Sequence, residues 1–324
     1  MIGPLLHIES LRVYFPKNND WLPGIDGASL SIKRGTILGL VGESGSGKSL
    51  TALSVLRLVP NPGFIYSGKI SFDGQELLRL REKDMVALRG KKIGTIFQNP
   101  MSSLNPTVKI GKQIAEMFYT KEGLSWKISK EKATELIREV GIQDVYRVFH
   151  SYPHEISGGM CQRITIAIAV SLNPSLLIAD EPTTALDVTT QAHILELLKD
   201  LKESFDMSIL FITHDLGVIA QIADEVAVMY LGRIVERAET TAIFSSPLHP
   251  YTEGLIHAIP DYNRKTNKLT AIPGNAQMLP LKDRKGCLFR SRCYLAKKEC
   301  EEIIPDLTVK QELDHEVACL LKGH

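Results

Sequence analysis

Residues 36–49 have the sequence TILGLVGESGSGKS, in which a mostly apolar run leads directly into a glycine-rich loop. An apolar run of this kind is typical of a buried parallel strand. The residues from Ser49 to Leu58 favour a helix that stops near Pro60. Gly42–Ser49 matches the pattern G-x-x-x-x-G-K-[ST] between that strand and that helix. The stretch therefore predicts a phosphate-binding loop.

The chemistry of this loop follows from its residue types. Glycines let backbone N–H groups turn inward around a β-phosphate, and the following helix adds the positive end of its dipole. Lys48 supplies a point charge for the β- and γ-phosphates, and the Ser49 hydroxyl is a hard oxygen ligand for Mg²⁺. The alternative is an ordinary glycine-rich turn with an incidental lysine, which the strand before the loop and the helix after it disfavour.

A second apolar strand, Leu176–Ala179, ends in the acids Asp180 and Glu181. Asp180 is placed to reach Mg²⁺ through water, as the acidic residue of phosphate-loop ATPases does. Glu181 lies one residue further, where a general base could polarise an attacking water. The alternative is a solvated strand end.

Composition limits the class of protein. The chain has 324 residues, 44% hydrophobic and 23% charged, with a formal net charge of +1. These values favour a globular protein and give no global basic field for nucleic acid. The first ten residues lack the features of a secretory signal, and the apolar run 164–179 is broken by Asn173-Pro174. We expect a soluble cytoplasmic protein, which could still bind a membrane protein.

Strands and helices are predicted to alternate through most of the chain. Leu22-Pro23-Gly24 predicts a turn, and Ala28–Ile32 is expected to form a strand pair with Thr36–Val41. Val226–Tyr230 and Arg233–Arg237 predict a hairpin. From about residue 240 the sequence becomes rich in proline and loops, so we expect a domain boundary there.

Further motifs follow the loop in a fixed order, and they make the chain similar to ATP-binding subunits of ABC transporters. They are Gln98, Ser157-Gly158-Gly159, Ala185-Leu186-Asp187 and His214. The resemblance covers about residues 5–240. It implies an α/β fold, an ABC-type nucleotide-binding domain at 1–240, with a phosphate-loop ATPase core, an antiparallel β subdomain and an α-helical subdomain at about 100–160. A small cysteine-containing C-terminal extension at 241–324 would follow.

The resemblance also implies that two such domains face each other head to tail, with ATP between the phosphate loop of one and the signature of the other. The expected contacts to ATP are Phe15, Gly42, Ser44, Gly45, Ser46, Gly47, Lys48, Ser49, Leu50 and Thr51. The expected Mg²⁺ ligands are Ser49, Gln98 and Asp180, and the catalytic residues are Glu181, His214 and Lys48. The signature for the partner's ATP is Ser157, Gly158, Gly159 and Met160, with Asp187 contacting the partner.

Three positions, Phe15, Met160 and Cys161, have alternatives or depart from the usual family pattern. Phe15 is the candidate to stack on adenine, with Tyr14 as the alternative and core packing an equal contender. Met160 stands where glutamine often follows the two glycines, and methionine there resembles peptide importers. Cys161 replaces the more usual basic residue, and we expect it at a buried helix position.

The flanking segments resemble the oligopeptide/dipeptide importer subfamily. These are residues 97–106 (FQNPMSSLNP), 247–252 (PLHPYT) and 286–293 (GCLFRSRC). The resemblance implies a peripheral subunit on the cytoplasmic face of the membrane. Its partners would be a second homologous ATPase (or a second copy in isolation), two transmembrane permease subunits and an extracellular peptide-binding protein. Nickel and oligosaccharide importers share these features, so those cargoes stay open.

Four cysteines lie close to the C-terminal end of the sequence, at Cys287, Cys293, Cys300 and Cys319. They lack the paired knuckles usual for Zn²⁺ sites, and loosely spaced thiolates suit a [4Fe–4S] cluster at least as well. The subfamily resemblance implies such a cluster. Zn²⁺ and free or disulfide-bonded cysteines are the alternatives.

Two other functions compete with import. A soluble ABC-type ATPase acting on ribosomes or DNA would typically carry two fused cassettes, coiled coils or basic arms, and this sequence has none of them. A non-catalytic regulatory subunit is disfavoured because Lys48, Asp180, Glu181 and His214 are all present.

Overall fold

The computed structural model describes residues 3–184, 186–259, 272–310 and 314–322. In chain order the strands are β1 (Leu6–Lys17), β2 (Asp20–Ile32), β3 (Ile37–Val41), β4 (Phe64–Phe72), β5 (Gln75–Glu76), β6 (Ile93–Ile96), β7 (Leu176–Asp180), β8 (Ser208–Thr213), β9 (Glu225–Tyr230), β10 (Arg233–Glu239), β11 (Thr308–Lys310) and β12 (His315–Val317). The helices are α1 (Lys48–Val55), α2 (Glu82–Leu88), α3 (Pro100–Ser103), α4 (Ile110–Glu122), α5 (Trp126–Glu139), α6 (Val145–His150), α7 (Gly158–Val170), α8 (Val188–Ser204), α9 (Leu216–Ile222), α10 (Thr240–Ser245), α11 (Pro250–His257) and α12 (Glu299–Glu302).

The chain divides into two compact units. The first comprises residues 1–79 and 212–324, and the second comprises residues 80–211. The predicted domain boundary near residue 240 follows a different criterion, the change in composition, and it stays a prediction. Among the helices of the described ranges, none combines the length and the apolar character needed to cross a membrane.

Two sheets build the first unit. An antiparallel sheet has the strand order β2-β1-β4-β5. The other contains β11-β12-β10-β9-β3, in which only the β3–β9 pairing is parallel. All residues of β3 are buried, as its apolar sequence predicts. Because β3 ends at Val41 and α1 begins at Lys48, the intervening loop emerges at the carboxyl end of a buried parallel strand.

The second unit consists of β6, β7, most of β8 and the helices α2 to α8. β6 and β7 pair in parallel, and β7 is buried along its whole length. Gly94 in β6 allows close packing, since a Cβ there would lie 2.3 Å from the carbonyl oxygen of Ala169 in α7. This packing fixes the helix that follows the Ser-Gly-Gly motif against the strand that precedes Gln98.

Two details of the predicted secondary structure are wrong. The turn at Leu22-Pro23-Gly24 is strand, because Pro23 pairs with Tyr14 beside a register shift that accommodates a proline. The strands Ala28–Ile32 and Thr36–Val41 do not pair with each other: β2 pairs with β1, and β3 pairs with β9. The predicted hairpin of β9 and β10 is confirmed.

Candidate nucleotide site

The phosphate loop, Gly42–Ser49, has a backbone that requires glycine at two points. A Cβ at Gly42 would lie 2.1 Å from the carbonyl oxygen of Met229, and one at Gly47 would lie 2.7 Å from that of Gly24. Gly47 also has a φ of 109°, and Gly45 has a φ of 77°. The glycines therefore permit both the close approach to β9 and the left-handed turns that bring the chain into α1.

Lys48 lies at the beginning of α1 and is buried. Its Nζ donates to the carbonyl oxygens of Gly42 at 2.7 Å and Glu43 at 3.0 Å. The Oγ of Ser46 is buried and has no hydrogen-bond partner within the described ranges. A buried cation and an unpaired hydroxyl inside a loop at a helix N-terminus form a cradle suited to an anion such as phosphate.

Other predicted ATP contacts lie around this loop. Ser44, Gly45 and Ser49 are exposed, whereas Leu50 is half-buried and Thr51 is buried. Thr51 Oγ1 donates to the Gly47 carbonyl at 3.0 Å, which ties the loop to the first turn of α1.

The two aromatic candidates for adenine differ in their surroundings. Tyr14 is buried and stacks on Tyr66 with ring centroids 4.8 Å apart. Phe15 is half-buried, and its ring packs beside Gly24 and Gly63, where added Cβ atoms would lie 3.0 Å and 2.4 Å from it. Of the two rings, Phe15 keeps the more accessible face.

Gln98 and Glu181 come together in the second unit. Gln98 Nε2 donates to Glu181 Oε2 at 2.8 Å, and Thr184 Oγ1 donates to the same oxygen at 2.9 Å. Glu181 has a φ of 48°, so the chain turns sharply directly after the buried Asp180. Two donors therefore hold one carboxylate oxygen of the predicted base in a defined orientation.

Ser157 is the N-cap of α7, and its Oγ accepts the Met160 N–H at 3.3 Å. The helix begins at Gly158, so both glycines of the motif lie in its first turn. Since Gly158 has no neighbour within 4 Å of an added Cβ, the N-terminus of the helix is open at that point. Cys161 is buried in α7, as predicted, and burial raises the pKa of its thiol.

Asp187 caps the next helix, α8, close to the Ser-Gly-Gly motif. Its two carboxylate oxygens accept the Thr190 N–H at 2.9 Å and the Thr190 hydroxyl at 2.7 Å, and these hydrogen bonds lower the pKa of Asp187. A Cβ on Gly159 would lie 2.9 Å from Thr190 Cγ2. Thr190 therefore places the predicted signature and Asp187 side by side.

His214 is exposed, directly after β8, and Asp215 caps α9 by accepting the N–H groups of Gly217 and Val218. This placement at the carboxyl end of a strand agrees with the motif order from which it was selected. The roles assigned to His214 and the other motif residues remain predictions.

Within the described residues no disulfide joins the tail cysteines, and Cys287 and Cys293 interact electrostatically with the others. The pKa values of Cys287 and Cys293 are raised, first by burial and also by the other cysteines, among them Cys300 and Cys319. The Cys287 N–H donates to the Cys300 carbonyl at 2.8 Å. Across the part of the chain that the structure describes, no three His, Cys, Asp or Glu side chains are arranged to hold a metal ion.

Sequence reasoning missed one set of residues at this site. Arg292 lies in the cysteine segment (residues 287–293) and binds the carboxylate of Glu43 in the phosphate loop, while the Tyr251 hydroxyl accepts the Glu43 N–H. The PYT sequence around Tyr251 was noticed only as a subfamily resemblance. Nothing local in the sequence predicts these contacts, because their partners are 249 and 208 positions apart.

Comparison with known proteins agrees with this geometry. Residues 25–184 match the family described as ABC transporter, and residues 235–300 match the oligopeptide/dipeptide transporter C-terminal region. The chain is 46% identical to the oligopeptide transport ATP-binding protein AppD of Bacillus subtilis, over 94% of this chain and 93% of the relative. It is 42% identical to the dipeptide transport ATP-binding protein DppD of Escherichia coli, with 94% and 93% covered.

Solved structures support the same fold. The dimeric ABC transporter cassette MJ0796, described in a post-hydrolysis state bound to ADP and Pi, matches with a TM-score of 0.64 at 24% identity. The match covers 72% of this chain and 98% of the cassette. At that identity the likeness concerns the fold alone, and it confirms the predicted cassette fold with its mixed α/β architecture.

Proposed function

The chain belongs to the family of ABC transporter ATP-binding subunits, and from this premise we propose that it hydrolyses ATP to drive the uptake of dipeptides or oligopeptides. The observation that carries the cargo class is the match of residues 235–300 to the C-terminal region of oligopeptide/dipeptide transporters. Relatives named for peptide transport, which align over nearly the whole chain, support it.

ATP is proposed to bind with its phosphates in the loop Gly42–Ser49. Backbone N–H groups of the loop, the N-terminus of α1 and the Lys48 ammonium supply positive charge, and the buried Ser46 hydroxyl supplies a further donor. Ser44, Leu50 and Thr51 complete the contacts, and Phe15 stacks on the adenine in preference to the buried Tyr14. The whole set lies in the first unit.

Mg²⁺ is proposed to be held by the oxygen atoms of Ser49 and Gln98 and, through water, by the carboxylate of Asp180. These are hard oxygen donors, which fit the preference of this ion. When bound, Mg²⁺ neutralises negative charge on the phosphates.

Glu181 is proposed as the general base that takes a proton from the attacking water, with His214 contacting the γ-phosphate. The hydrogen bonds from Gln98 and Thr184 occupy one carboxylate oxygen of Glu181. A carboxylate held this way loses little orientation freedom before reaction, which is how positioned bases accelerate hydrolysis.

The Ser157–Met160 motif is proposed to serve the ATP bound by a partner ATPase. The Ser157 cap leaves the N-terminal turn of α7 beside the open Gly158, where a γ-phosphate would meet backbone donors and the helix dipole. Asp187, joined to this region through Thr190, would contact the partner. The isolated chain should then bind ATP but hydrolyse it poorly.

The assembly we propose comprises this chain, a second homologous ATPase, two permease subunits and an extracellular peptide-binding protein. The chain would lie peripherally on the cytoplasmic face of the membrane. Nickel or oligosaccharide import by the same machinery is the alternative, and the names of the relatives favour peptides over it.

The test is uptake by the assembled transporter in liposomes with ATP inside. Radiolabelled dipeptides and oligopeptides, nickel and an oligosaccharide are compared, each with the binding protein in the assay. We expect ATP-dependent accumulation of at least one peptide class. Accumulation of nickel or sugar with no peptide uptake would refute the peptide assignment while leaving the ATPase assignment intact.

We also propose that Cys287, Cys293, Cys300 and Cys319 hold a [4Fe–4S] cluster. A single Zn²⁺ at a Zn–S distance of 2.3 Å requires sulfurs about 3.8 Å apart. In a cluster each cysteine binds a separate iron, and four cysteines that lack paired knuckles fit that arrangement. The electrostatic interactions of Cys287 and Cys293 with Cys300 and Cys319 indicate that the four thiols lie near one another. Anaerobically purified protein should contain iron and sulfide and absorb near 400 nm; zinc without iron would contradict the proposal.

A further inference from the structure

The cysteine segment carries an arginine that forms a two-pronged ion pair with the phosphate loop. Arg292 Nη1 donates to Glu43 Oε2 at 2.8 Å, and Arg292 Nη2 donates to Glu43 Oε1 at 2.9 Å. The arginine side chain is only 5% exposed and that of Glu43 is 30% exposed. Such fork-to-fork pairs fix orientation as well as charge, which a lysine cannot do equally well.

Arg292 is itself held firmly. Its Nε donates to the Pro273 carbonyl at 2.9 Å, and its guanidinium lies 5.8 Å and 5.9 Å from the ring centroids of Tyr230 and Phe289. Because the Pro273 carbonyl and the two rings hold the guanidinium, the carboxylate of Glu43 meets a donor that is already in position.

Glu43 has a second anchor in the same part of the fold. Its backbone N–H donates to the hydroxyl of Tyr251 at 2.9 Å, and Tyr251 is completely buried. The Tyr251 ring packs at 4.7 Å from that of Tyr230 and at 5.4 Å from that of Phe289. Phe289 belongs to the cysteine segment, so the segment supports Glu43 through Arg292 directly and through the aromatic rings around Tyr251.

The remaining polar group of Glu43 faces the phosphate machinery. Its carbonyl oxygen accepts the Lys48 ammonium at 3.0 Å and the Ser46 N–H at 3.1 Å. The side chain and N–H of Glu43 therefore bind the C-terminal part of the chain, while its carbonyl binds the residues that are proposed to hold phosphate. A shift of Glu43 would move the Lys48 ammonium and the Ser46 turn together.

The pairing also has a charge consequence. An unpaired carboxylate at Glu43 would place a negative charge in a loop that must accept the phosphates of ATP. The Arg292 guanidinium neutralises that charge at hydrogen-bond distance.

We infer that Arg292 is a positioning residue for ATP binding, which couples the cysteine segment to the phosphate loop through Glu43. This inference rests on the proposed ATP site and extends it, because it makes nucleotide affinity depend on a residue of the C-terminal region. Arg292 acts through Glu43 and does not itself contact the phosphates.

The experiment measures the dissociation constant of a fluorescent ATP analogue with Mg²⁺ for the full chain. Arg292→Gln should weaken binding about tenfold, because it leaves the Glu43 carboxylate unpaired. Arg292→Lys keeps the charge and loses the fork, so about threefold is expected. Arg290→Gln is the matched control from the same segment, since Arg290 donates to the carbonyls of Lys285 and Cys287; it should change affinity less than twofold.

The double variant separates positioning from ordinary stabilisation. Glu43→Gln removes the carboxylate charge and should weaken ATP binding about threefold. The double variant, Glu43→Gln with Arg292→Gln, should also bind about threefold more weakly than wild type, which is less than the tenfold loss of Arg292→Gln alone. In the assembled transporter the KM for ATP should rise while kcat at saturating ATP stays within twofold. A merely structural role would lower the melting temperature and give independent, multiplying losses.

Wild-type affinity in Arg292→Gln, or losses that multiply in the double variant, would overturn the inference. If Arg292→Gln does not fold, the ATP affinities of Arg292→Lys and Glu43→Gln test the inference instead. Unchanged affinity in both of these variants would then overturn it. Should the wild-type chain itself fail to bind ATP, the proposed function fails instead, so the two failures are distinguishable.

Discussion

The phosphate loop and the C-terminal region that supports it are built in contrasting ways. The loop takes its shape from the glycines Gly42, Gly45 and Gly47 and from the start of α1, all within eight consecutive positions of the chain. The support consists of side chains such as Tyr251 and Arg292, which reach the loop from more than 200 positions away. The difference teaches that residues close in sequence shape the phosphate loop, whereas distant residues hold the loop in place.

The first way to break this contrast is to disturb the loop itself. Gly42→Ala places a Cβ 2.1 Å from the Met229 carbonyl oxygen. Because that oxygen belongs to the backbone of β9, the phosphate loop has to move to relieve the clash. We expect ATP affinity to fall about 100-fold, since displacement of the loop removes several charged hydrogen bonds at once. The affinity is measured by titration with a fluorescent ATP analogue.

Gly35→Ala is the control for that substitution. Gly35 also has a left-handed φ, 69°, but an added Cβ would have open space around it. It should lose about 1 kcal/mol of stability and no ATP affinity. Equal affinity losses in the two variants would show that strain, not the approach to β9, explains the effect.

A second test disturbs the support at its most buried point. Glu236 is fully buried, and its carboxylate accepts the N–H groups of Leu248 at 2.6 Å and His249 at 2.9 Å and contacts His315 Nε2 at 2.7 Å. Glu236→Gln replaces one accepting oxygen with an NH₂ group, which would face groups that also donate. We therefore expect the free energy of unfolding to fall by about 3 kcal/mol. Urea denaturation measures it.

The contrast predicts that ATP chemistry survives this loss. With Glu236→Gln kept well below its melting temperature, kcat of the assembled transporter should stay within a factor of about two. A variant that keeps its stability but loses kcat would mean that Glu236 takes part in catalysis.

A third test uses pH. Burial lowers the pKa of His249 to about 4, and its Nδ1 accepts the Tyr251 N–H at 3.0 Å at the start of α11. The unfolded chain binds a proton near pH 6.5 and the folded chain does not, so stability is complete above pH 6.5 and declines toward pH 4. Between pH 7 and pH 5 the loss should be about 2 kcal/mol.

His249→Asn is the comparison for the pH experiment, because asparagine can cap the helix without titrating. The free energy of unfolding of this variant is measured by urea denaturation at each pH. It should fall less between pH 7 and pH 5 than that of the wild type, by the amount assigned to His249. Identical slopes in the two proteins would contradict the assignment.

The smallest expected effect concerns the helix caps. Ser157→Ala removes the cap of α7 and Ser125→Ala removes the cap of α5, and each should cost about 1 kcal/mol. Only Ser157 lies in the motif proposed for the partner's ATP. ATPase activity of the assembled transporter should therefore fall with Ser157→Ala and stay unchanged with Ser125→Ala. Equal activities in the two variants would contradict a role of Ser157 at the partner's ATP.

Local signals predicted much of this molecule. The apolar run before the glycine-rich loop predicted the buried strand β3, because such a run is typical of a parallel strand covered on both faces. The β9–β10 hairpin was predicted because two short strand patterns flank the turn at Leu231-Gly232. The strand through Pro23 was missed. A register shift beside Tyr14 accommodates the proline in the sheet, and the local sequence does not predict that shift.

Within the site, the sequence could select Gln98 and Glu181 by motif order but could not say that they bind each other. Likewise, the segment that contains Tyr251 was selected only by resemblance, and Glu43 was passed over because it stands at an unspecified position (x) of the loop pattern. Contacts of this kind depend on how distant strands and loops pack, and one sequence carries no signal for that packing.

The most direct test of the central claim, that this chain couples ATP hydrolysis to peptide uptake through Glu181, is one substitution in the reconstituted transporter. Glu181→Gln keeps the hydrogen-bonding shape and removes the base. The account predicts unchanged ATP binding, with ATP hydrolysis and peptide accumulation both reduced more than about 100-fold. Hydrolysis and uptake at wild-type rates would contradict it.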